Sequence, residues 1–177
     1  MIIGLTGLAR AGKDTVAAYL VEKYGFKHLD FYRDVLLEKA KERGIESKDK
    51  MAMSILGDEL RKEGGRGILA KFLAEKIVPE NDYVITGFRS PEEVDFIRNE
   101  FQDFVLVEVR AGKLNRFSRR KDTDPDDINA FFERDKRDIQ NKGLGEVLRM
   151  ADYVIDNDGT IEELKSKIDE LMKKVMA

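Results

Sequence analysis

Residues 1–19, MIIGLTGLARAGKDTVAAY, constrain this chain more than any other stretch. A short apolar run, Ile2-Ile3-Gly4-Leu5-Thr6, breaks at Gly7 into a loop. The apolar pattern resumes after Gly12-Lys13 at helical spacing, with Val16, Ala17 and Leu20 on one side. The order is strand, loop, helix. The loop reads G-x-x-x-x-G-K-D-T, one residue away from the G-x-x-x-x-G-K-[ST] pattern of polyphosphate-binding loops. Backbone N–H groups from Gly7 through Leu8, Ala9, Arg10, Ala11 and Gly12 can then turn inward, the helix start adds its positive end, and Lys13 can reach the outer phosphates. The departure is Asp14, which stands where the pattern has a hydroxyl; the hydroxyl arrives one place later, at Thr15. A carboxylate beside phosphates is repulsive unless a cation lies between them. Asp14 is therefore either a magnesium or magnesium-water ligand, with Thr15 beside it, or a first-turn acid favoured by the helix dipole. The sequence leaves both open.

With 177 residues, the expectation is one α/β domain spanning 1–177. Thirty-two Lys and Arg stand against 35 Asp and Glu, a net charge of −3, which argues against nucleic acid or a membrane surface as the main partner. Small-molecule nucleotides are the expected partners. The absence of cysteine excludes disulfides and thiolate metal sites. No apolar run approaches the ~20 residues of a membrane span, and there is no signal-peptide pattern, so a cytoplasmic location is expected. Oligomeric state is not legible.

The rest of the chain alternates short apolar segments with helical patterns. Strands are expected at 2–6, 26–29, 83–86, 104–109 and 153–155. Helices are expected at 31–43, 47–62 with Ser47 as N-cap, 66–77, from Ser90-Pro91 onward, 113–120, 127–141, and from Thr160 through Met172. The acidic loop KDTDPDD, 121–127, reads as weakly ordered. This alternation implies βαβ units and a parallel sheet of about five strands flanked by helices in three layers. Ligands of such sheets bind beyond the carboxyl ends of the strands. The loop 7–13, Asp30 and Arg33, Gly87 and Arg89, Arg110, and Asn157 to Gly159 all fall there.

A polyphosphate loop says nucleotide, not kinase; the arginines add that. Phosphoryl transfer is mostly positioning and charge neutralisation, which requires cations from several directions. Arg33 and Arg89 fall at adjacent strand ends away from Lys13 and suit an acceptor phosphate. Arg116 and Arg120 share one helix face with Arg119 alongside, and Arg134 and Arg137 lie beyond the acidic loop. Two arginine-bearing helices joined by a loop describe a lid, about 113–140, that closes over the phosphates and excludes water. The same arginines alternate with Asp122, Glu133, Asp135 and Asp138, a pattern that also suits a solvated helix pair. Arg33 and Arg61 also fit a surface role. His28, the one histidine, reads as structural. Met51 and Met53 fit either core or pocket wall.

On these residues the chain resembles the nucleoside monophosphate kinase branch of the P-loop proteins, closest to the archaeal adenylate-kinase-related proteins. Asp30-Phe31-Tyr32-Arg33 looks like that family's acceptor-binding segment, and LRKEGG at 60–65 is similar to the next one, so the acceptor-binding helical region falls at about 30–78. VITGFRS at 84–90 resembles the strand and turn whose arginine holds the acceptor phosphate. RFSRR at 116–120 and ERDKR at 133–137 look like a short lid, and ADYVIDNDGT at 151–160 is similar to the segment lying against the donor base. GLARAGKDTVA and VITGFR also resemble phage deoxynucleoside monophosphate kinases, and the C-terminal motif occurs in dephospho-coenzyme A kinases. The resemblance implies a P-loop NTPase fold and transfer of the ATP γ-phosphoryl group, with Mg2+, to a nucleoside or deoxynucleoside monophosphate. In that reading Lys13, Arg116, Arg120, Arg134 and Arg137 are catalytic. Residues 7–15 with Asn157 and Gly159 bind the donor, Asp30, Arg33, Arg61, Gly87 and Arg89 bind the acceptor, and Asp14 and Thr15 hold the metal. Two alternatives are a dephospho-coenzyme A kinase, with Asp30 as base, and a P-loop ATPase whose hydrolysis drives a regulatory or RNA-processing partner. The resembled families place an acid at the end of the third strand, or just after it, where this chain has Thr86 and Gly87; Asp14 is a candidate to replace it.

Overall fold

The structure, a computed structural model, describes residues 1–141 and 143–177. Five parallel strands form one sheet: β1 (Ile2–Thr6), β2 (Lys27–Asp30), β3 (Tyr83–Thr86), β4 (Phe104–Arg110) and β5 (Tyr153–Asp156). The helices are α1 (Lys13–Tyr24), α2 (Leu37–Glu42), α3 (Lys50–Gly64), α4 (Ile68–Ala74), α5 (Pro91–Glu100), α6 (Lys113–Ser118), α7 (Ile128–Asn141), α8 (Leu144–Arg149) and α9 (Ile161–Val175). Strand order is β2-β3-β1-β4-β5. β1 is therefore central, pairing Ile2 to Gly4 with Tyr83 to Ile85 on one side and Ile2 to Thr6 with Phe104 to Glu108 on the other. Every residue of β1 and β3 is buried, as helices on both faces of a parallel sheet require. One core layer packs Leu56, Leu60, Leu73, Ile85 and Leu106, and the other packs Ile3, Leu5, Leu20, Val107 and Ile168. Fully burying side chains of this size stabilises by about 1.5–3 kcal/mol each, before the conformational entropy that opposes it.

Local chemistry explains most helix ends. Ser90 and Glu93 close a reciprocal capping box on α5, and Thr160 and Glu163 do the same on α9. The helix expected at 31–43 is divided: Phe31–Leu36 forms a π-helical turn before α2. Asp30 starts that turn by accepting the Tyr32 and Arg33 backbone N–H groups at 3.0 and 2.9 Å. Asp49, not Ser47, caps α3. Helix α8 was not legible as a helix, because Gly143 and Gly145 interrupt its short apolar pattern. Among the described residues, no helix is long and apolar enough to cross a membrane.

Candidate active site

The loop after β1 has the geometry its glycines permit. Gly7 and Gly12 sit at φ 145° and 111°, and a β-carbon on either would collide, with the Val109 carbonyl and the Asn157 amide respectively. Gly12 leads directly into α1, so the helix N-terminus faces the loop interior. Lys13 folds back over the loop, its Nζ donating to the Gly7 and Leu8 carbonyls at 2.7 and 3.0 Å. Burial is the main reason its pKa falls from 10.5 to about 8, followed by the positive field of Arg89 and, more weakly, of Arg116 and Arg10. A lysine buried among arginines is a site prepared for a polyanion.

Three cavities meet here. A pocket of about 200 Å³ lies against the loop, lined by Gly7, Lys13, Gly87, Arg89, Arg134 and Asp138 among others. A second, about 280 Å³, opens beside Asp14 and Thr15, with Arg10, Arg119 and Lys121 on its walls. A cleft of about 500 Å³ runs between α3 and the β3 end, lined by Met53, Gly57, Arg61, Arg66, Arg89 and Ser90 among others. Arg89 belongs to both the loop pocket and the large cleft. It was expected away from Lys13, yet it shares a pocket with it, because β3 and β1 are hydrogen-bonded neighbours. Glu93, buried and with its carboxyl pushed upward by that burial, accepts the Arg89 and Ser90 N–H groups at 2.7 and 3.2 Å, with Arg61 at 3.5 Å.

The remaining candidates divide. Arg33 turns outward: its Nη2 donates to the His28 carbonyl and to Asp34, and its side chain is 50% exposed. Asp30 lies in a small cavity with Arg61, Gly87 and Arg89, its Oδ2 accepting the Thr86 hydroxyl at 2.7 Å while His28 Nε2 contacts that hydroxyl at 2.8 Å. Arg116 is not a free lid cation. It is 1% exposed, bonded to the Ala111 and Ala9 carbonyls and paired with Asp135. Arg120 stacks on Phe117 at the surface, and Arg137 is exposed. Arg134 lines the loop pocket and pairs with Asp124 at 2.6 Å. The acidic loop expected to be weakly ordered is instead docked: Asp124 is 8% exposed and also bonds Arg10.

At the C-terminal motif, Asn157 is buried and donates to the Ala11 carbonyl at 2.8 Å, so it braces the loop from behind. Its own carbonyl accepts from Arg119 at 2.8 Å. Gly159 lies in the turn before α9, where Glu163 closes over it. Two groups carried no distinctive sequence signal: Thr6, whose buried hydroxyl has no hydrogen-bond partner among the described residues, and Asp138 in the loop pocket.

Among the described residues there is no group of three or more acidic or imidazole side chains that could hold a metal ion. Magnesium at a phosphate site needs none, since it keeps several waters and takes one or two protein oxygens plus the phosphates. Asp14 and Thr15, exposed together on one pocket wall, supply that kind of hard oxygen donor. The residues fit the ion.

Residues 6–162 match the AAA domain family. A UPF0200 protein of Thermococcus onnurineus is 34% identical, with 100% of this chain and 99% of that protein covered. One from Methanothermobacter thermautotrophicus is 30% identical over 99% of this chain and 90% of its own length. Among solved structures, shikimate kinase from Bacteroides thetaiotaomicron superposes with TM-score 0.66 at 18% identity over 100% of this chain and 99% of that one. The shikimate kinase of Aquifex aeolicus gives 0.60 at 20% identity, covering 98% and 97%. The fold is thus that of the P-loop kinases, and the chain belongs to the UPF0200 family.

Proposed function

We propose that this protein transfers the γ-phosphoryl group of ATP to the phosphate of a nucleoside or deoxynucleoside monophosphate. The observation that carries this reading is the placement of Arg89 on the common wall of the loop pocket and the 500 Å³ cleft. A cation there can hold the acceptor phosphate within reach of the phosphoryl group held at Lys13. The loop N–H groups and Lys13 hold the β and γ phosphates, Arg89 and Arg61 hold the acceptor phosphate, and the apolar wall of Leu36 and Met53 receives its nucleoside. Arg134 faces the transferred group. Asp14 and Thr15 would hold Mg2+, which supplies neutralising charge to the phosphates when bound.

An acceptor phosphate oxygen attacks Pγ in line, the bond from Pγ to the bridging oxygen breaks, and ADP leaves with the electron pair. No general base is needed, because a phosphomonoester with a second pKa near 6 already presents an anionic oxygen. A hydroxyl acceptor, as in a dephospho-coenzyme A kinase, needs a base. Asp30 is poorly placed to serve, since its carboxylate is already engaged, accepting from the Tyr32 and Arg33 backbone N–H groups and from the Thr86 hydroxyl.

The test is a coupled assay with ATP and Mg2+, offering AMP, CMP, UMP, GMP, dCMP, dTMP, dephospho-coenzyme A, shikimate and no acceptor. Turnover concentrated on one or two monophosphates is expected, with Arg89→Ala raising the acceptor KM at least tenfold and leaving donor affinity within about threefold. Phosphate release that ignores every acceptor would replace this reading with the ATPase one.

A further inference from the structure

One carboxylate joins the phosphate loop to the lid from the inside. Asp124 lies between α6 and α7, where composition promised a solvated acidic turn, yet it is 8% exposed. Three elements converge on it: Arg10 Nε from the phosphate loop at 2.5 Å, Arg134 Nη1 from α7 at 2.6 Å, and the Lys121 backbone N–H at 2.8 Å. The Arg10 bond, then those of Arg134 and Lys121, hold its carboxyl well below the usual carboxylate range. Arg10 is also the one non-glycine at positive φ among the described residues, at 64°, a conformation an L side chain adopts at a cost of about 1 kcal/mol or more. A surface ion pair would not hold such a residue in place; a buried, charge-assisted, three-donor carboxylate does.

The arrangement answers an electrostatic difficulty of the loop. Arg10, Lys13, Arg89 and Arg134 line the two pockets that flank the loop. Burial, and after it the positive field of Arg89, holds the Lys13 ammonium below its usual range, and like charges brought close together repel. Arg10 reaches toward the Asp14 and Thr15 pocket while Arg134 lines the Lys13 and Arg89 pocket, so the two guanidiniums belong to different walls. Asp124 bonds both of them.

We infer that Asp124 is a positioning residue: it docks the 119–127 loop onto the phosphate loop and holds Arg10 and Arg134 ready before the nucleotide arrives. The inference rests on the phosphoryl-transfer reading for what Arg134 does, but not for the docking itself. Preorganised cations are worth more to a transition state than cations recruited during the reaction. Loss of Asp124 should therefore slow turnover more than it weakens acceptor binding.

The experiment compares wild type with Asp124→Asn, which keeps shape and loses charge, and Asp124→Glu, which keeps charge. Arg119, Arg120 and Lys121 make the loop itself a trypsin substrate. Nucleotide-free wild type should resist cleavage at these residues, Asp124→Asn should be cut there about tenfold faster, and Asp124→Glu should recover part of the resistance. Circular dichroism melts identify any variant that is globally unfolded. With the monophosphate that turns over, Asp124→Asn should lower kcat at least thirtyfold while the acceptor KM moves less than threefold. Equal loop cleavage in wild type and Asp124→Asn overturns the docking. Faster cleavage with unchanged kcat overturns the positioning role. If wild type phosphorylates no acceptor but Asp124→Asn is still cut faster and binds a fluorescent ATP analogue more weakly, the docking of the phosphate loop stands and the monophosphate kinase reading falls.

Discussion

Arg116 and Asp135 form a two-pronged ion pair, Nη1 to Oδ1 at 3.0 Å and Nη2 to Oδ2 at 2.7 Å, that ties α6 to α7 in the interior. Arg116 also donates to the Ala9 carbonyl at 3.3 Å, so the strut ends on the phosphate loop. Removing one partner leaves the other charged and buried, which costs about 3–5 kcal/mol. Asp135→Asn and Arg116→Met should each show this loss in urea denaturation at pH 7. The apolar double variant Arg116→Met/Asp135→Leu should recover much of it, because neither charge then remains uncompensated. A single-variant loss under about 1 kcal/mol would mean the pair is solvated and dispensable.

Gly12 and Asn157 impose a second constraint that can be separated into two parts. A β-carbon at residue 12 meets both a backbone at φ 111° and the Asn157 amide, which braces Ala11. Gly12→Ala should destabilise by about 2 kcal/mol, since a strained conformation and an overpacked contact each cost roughly 1–3 kcal/mol when the neighbour can yield. It should also weaken binding of a fluorescent ATP analogue at least tenfold. Adding Asn157→Ala removes the collision but not the strain, so stability should rise part of the way while affinity stays low. Full recovery of affinity in the double variant would show that the left-handed backbone is not needed.

The parts of this molecule legible in its sequence are those whose causes are local. The strand, glycine loop and helix of residues 2–24 follow from residues within a few positions of one another, and so do the capping boxes at Ser90 and Thr160. Strand order is not local. Arg89 was expected to stand with Arg33 away from Lys13, but β3 lies beside β1, so the turn after β3 abuts the loop after β1. Arg33 and Arg89 sit on neighbouring strand ends, yet Asp34 and the His28 carbonyl hold Arg33 outward. Arg116 was not separable from the other arginines of 113–138 for a related reason: alternating charge there suits a solvated face equally well. Only the fold puts Asp135, nineteen residues from Arg116, in contact with it, and buries Asp124 within a loop whose composition favours water.

Lys13 should reduce the stability of the empty protein. Its ammonium is buried near Arg89, Arg116 and Arg10, and two carbonyl bonds offset only part of that. A fall from 10.5 to about 8 corresponds to roughly 3 kcal/mol favouring the neutral form, an upper bound on what removing the charge can return. Lys13→Met should therefore raise the stability of the nucleotide-free protein by about 1–3 kcal/mol in urea while abolishing ATP-analogue binding. A variant that loses stability would mean that the two carbonyl bonds outweigh the buried charge.

The same group sets a pH dependence whose sign can be worked out. Between pH 8 and 10.5 the unfolded chain holds the Lys13 proton and the empty folded protein releases it, so this group makes stability rise with pH across that window. Polyphosphate reverses the preference. Its negative charge beside Nζ restores the ammonium, so binding above pH 8 takes up a proton and becomes weaker as pH rises. ATP-analogue affinity should be flat from pH 6.5 to 7.5 and fall toward tenfold per unit beyond about pH 8.5. Titration calorimetry in two buffers of different ionisation enthalpy should show uptake of nearly one proton at pH 9 and almost none at pH 7. Lys13→Arg, whose guanidinium stays charged throughout, should bind with its own affinity but without the uptake at pH 9. If the wild-type affinity stays level to pH 9.5, the ammonium in the empty site is not depressed and the crowding of cations around Lys13 is relieved by solvent.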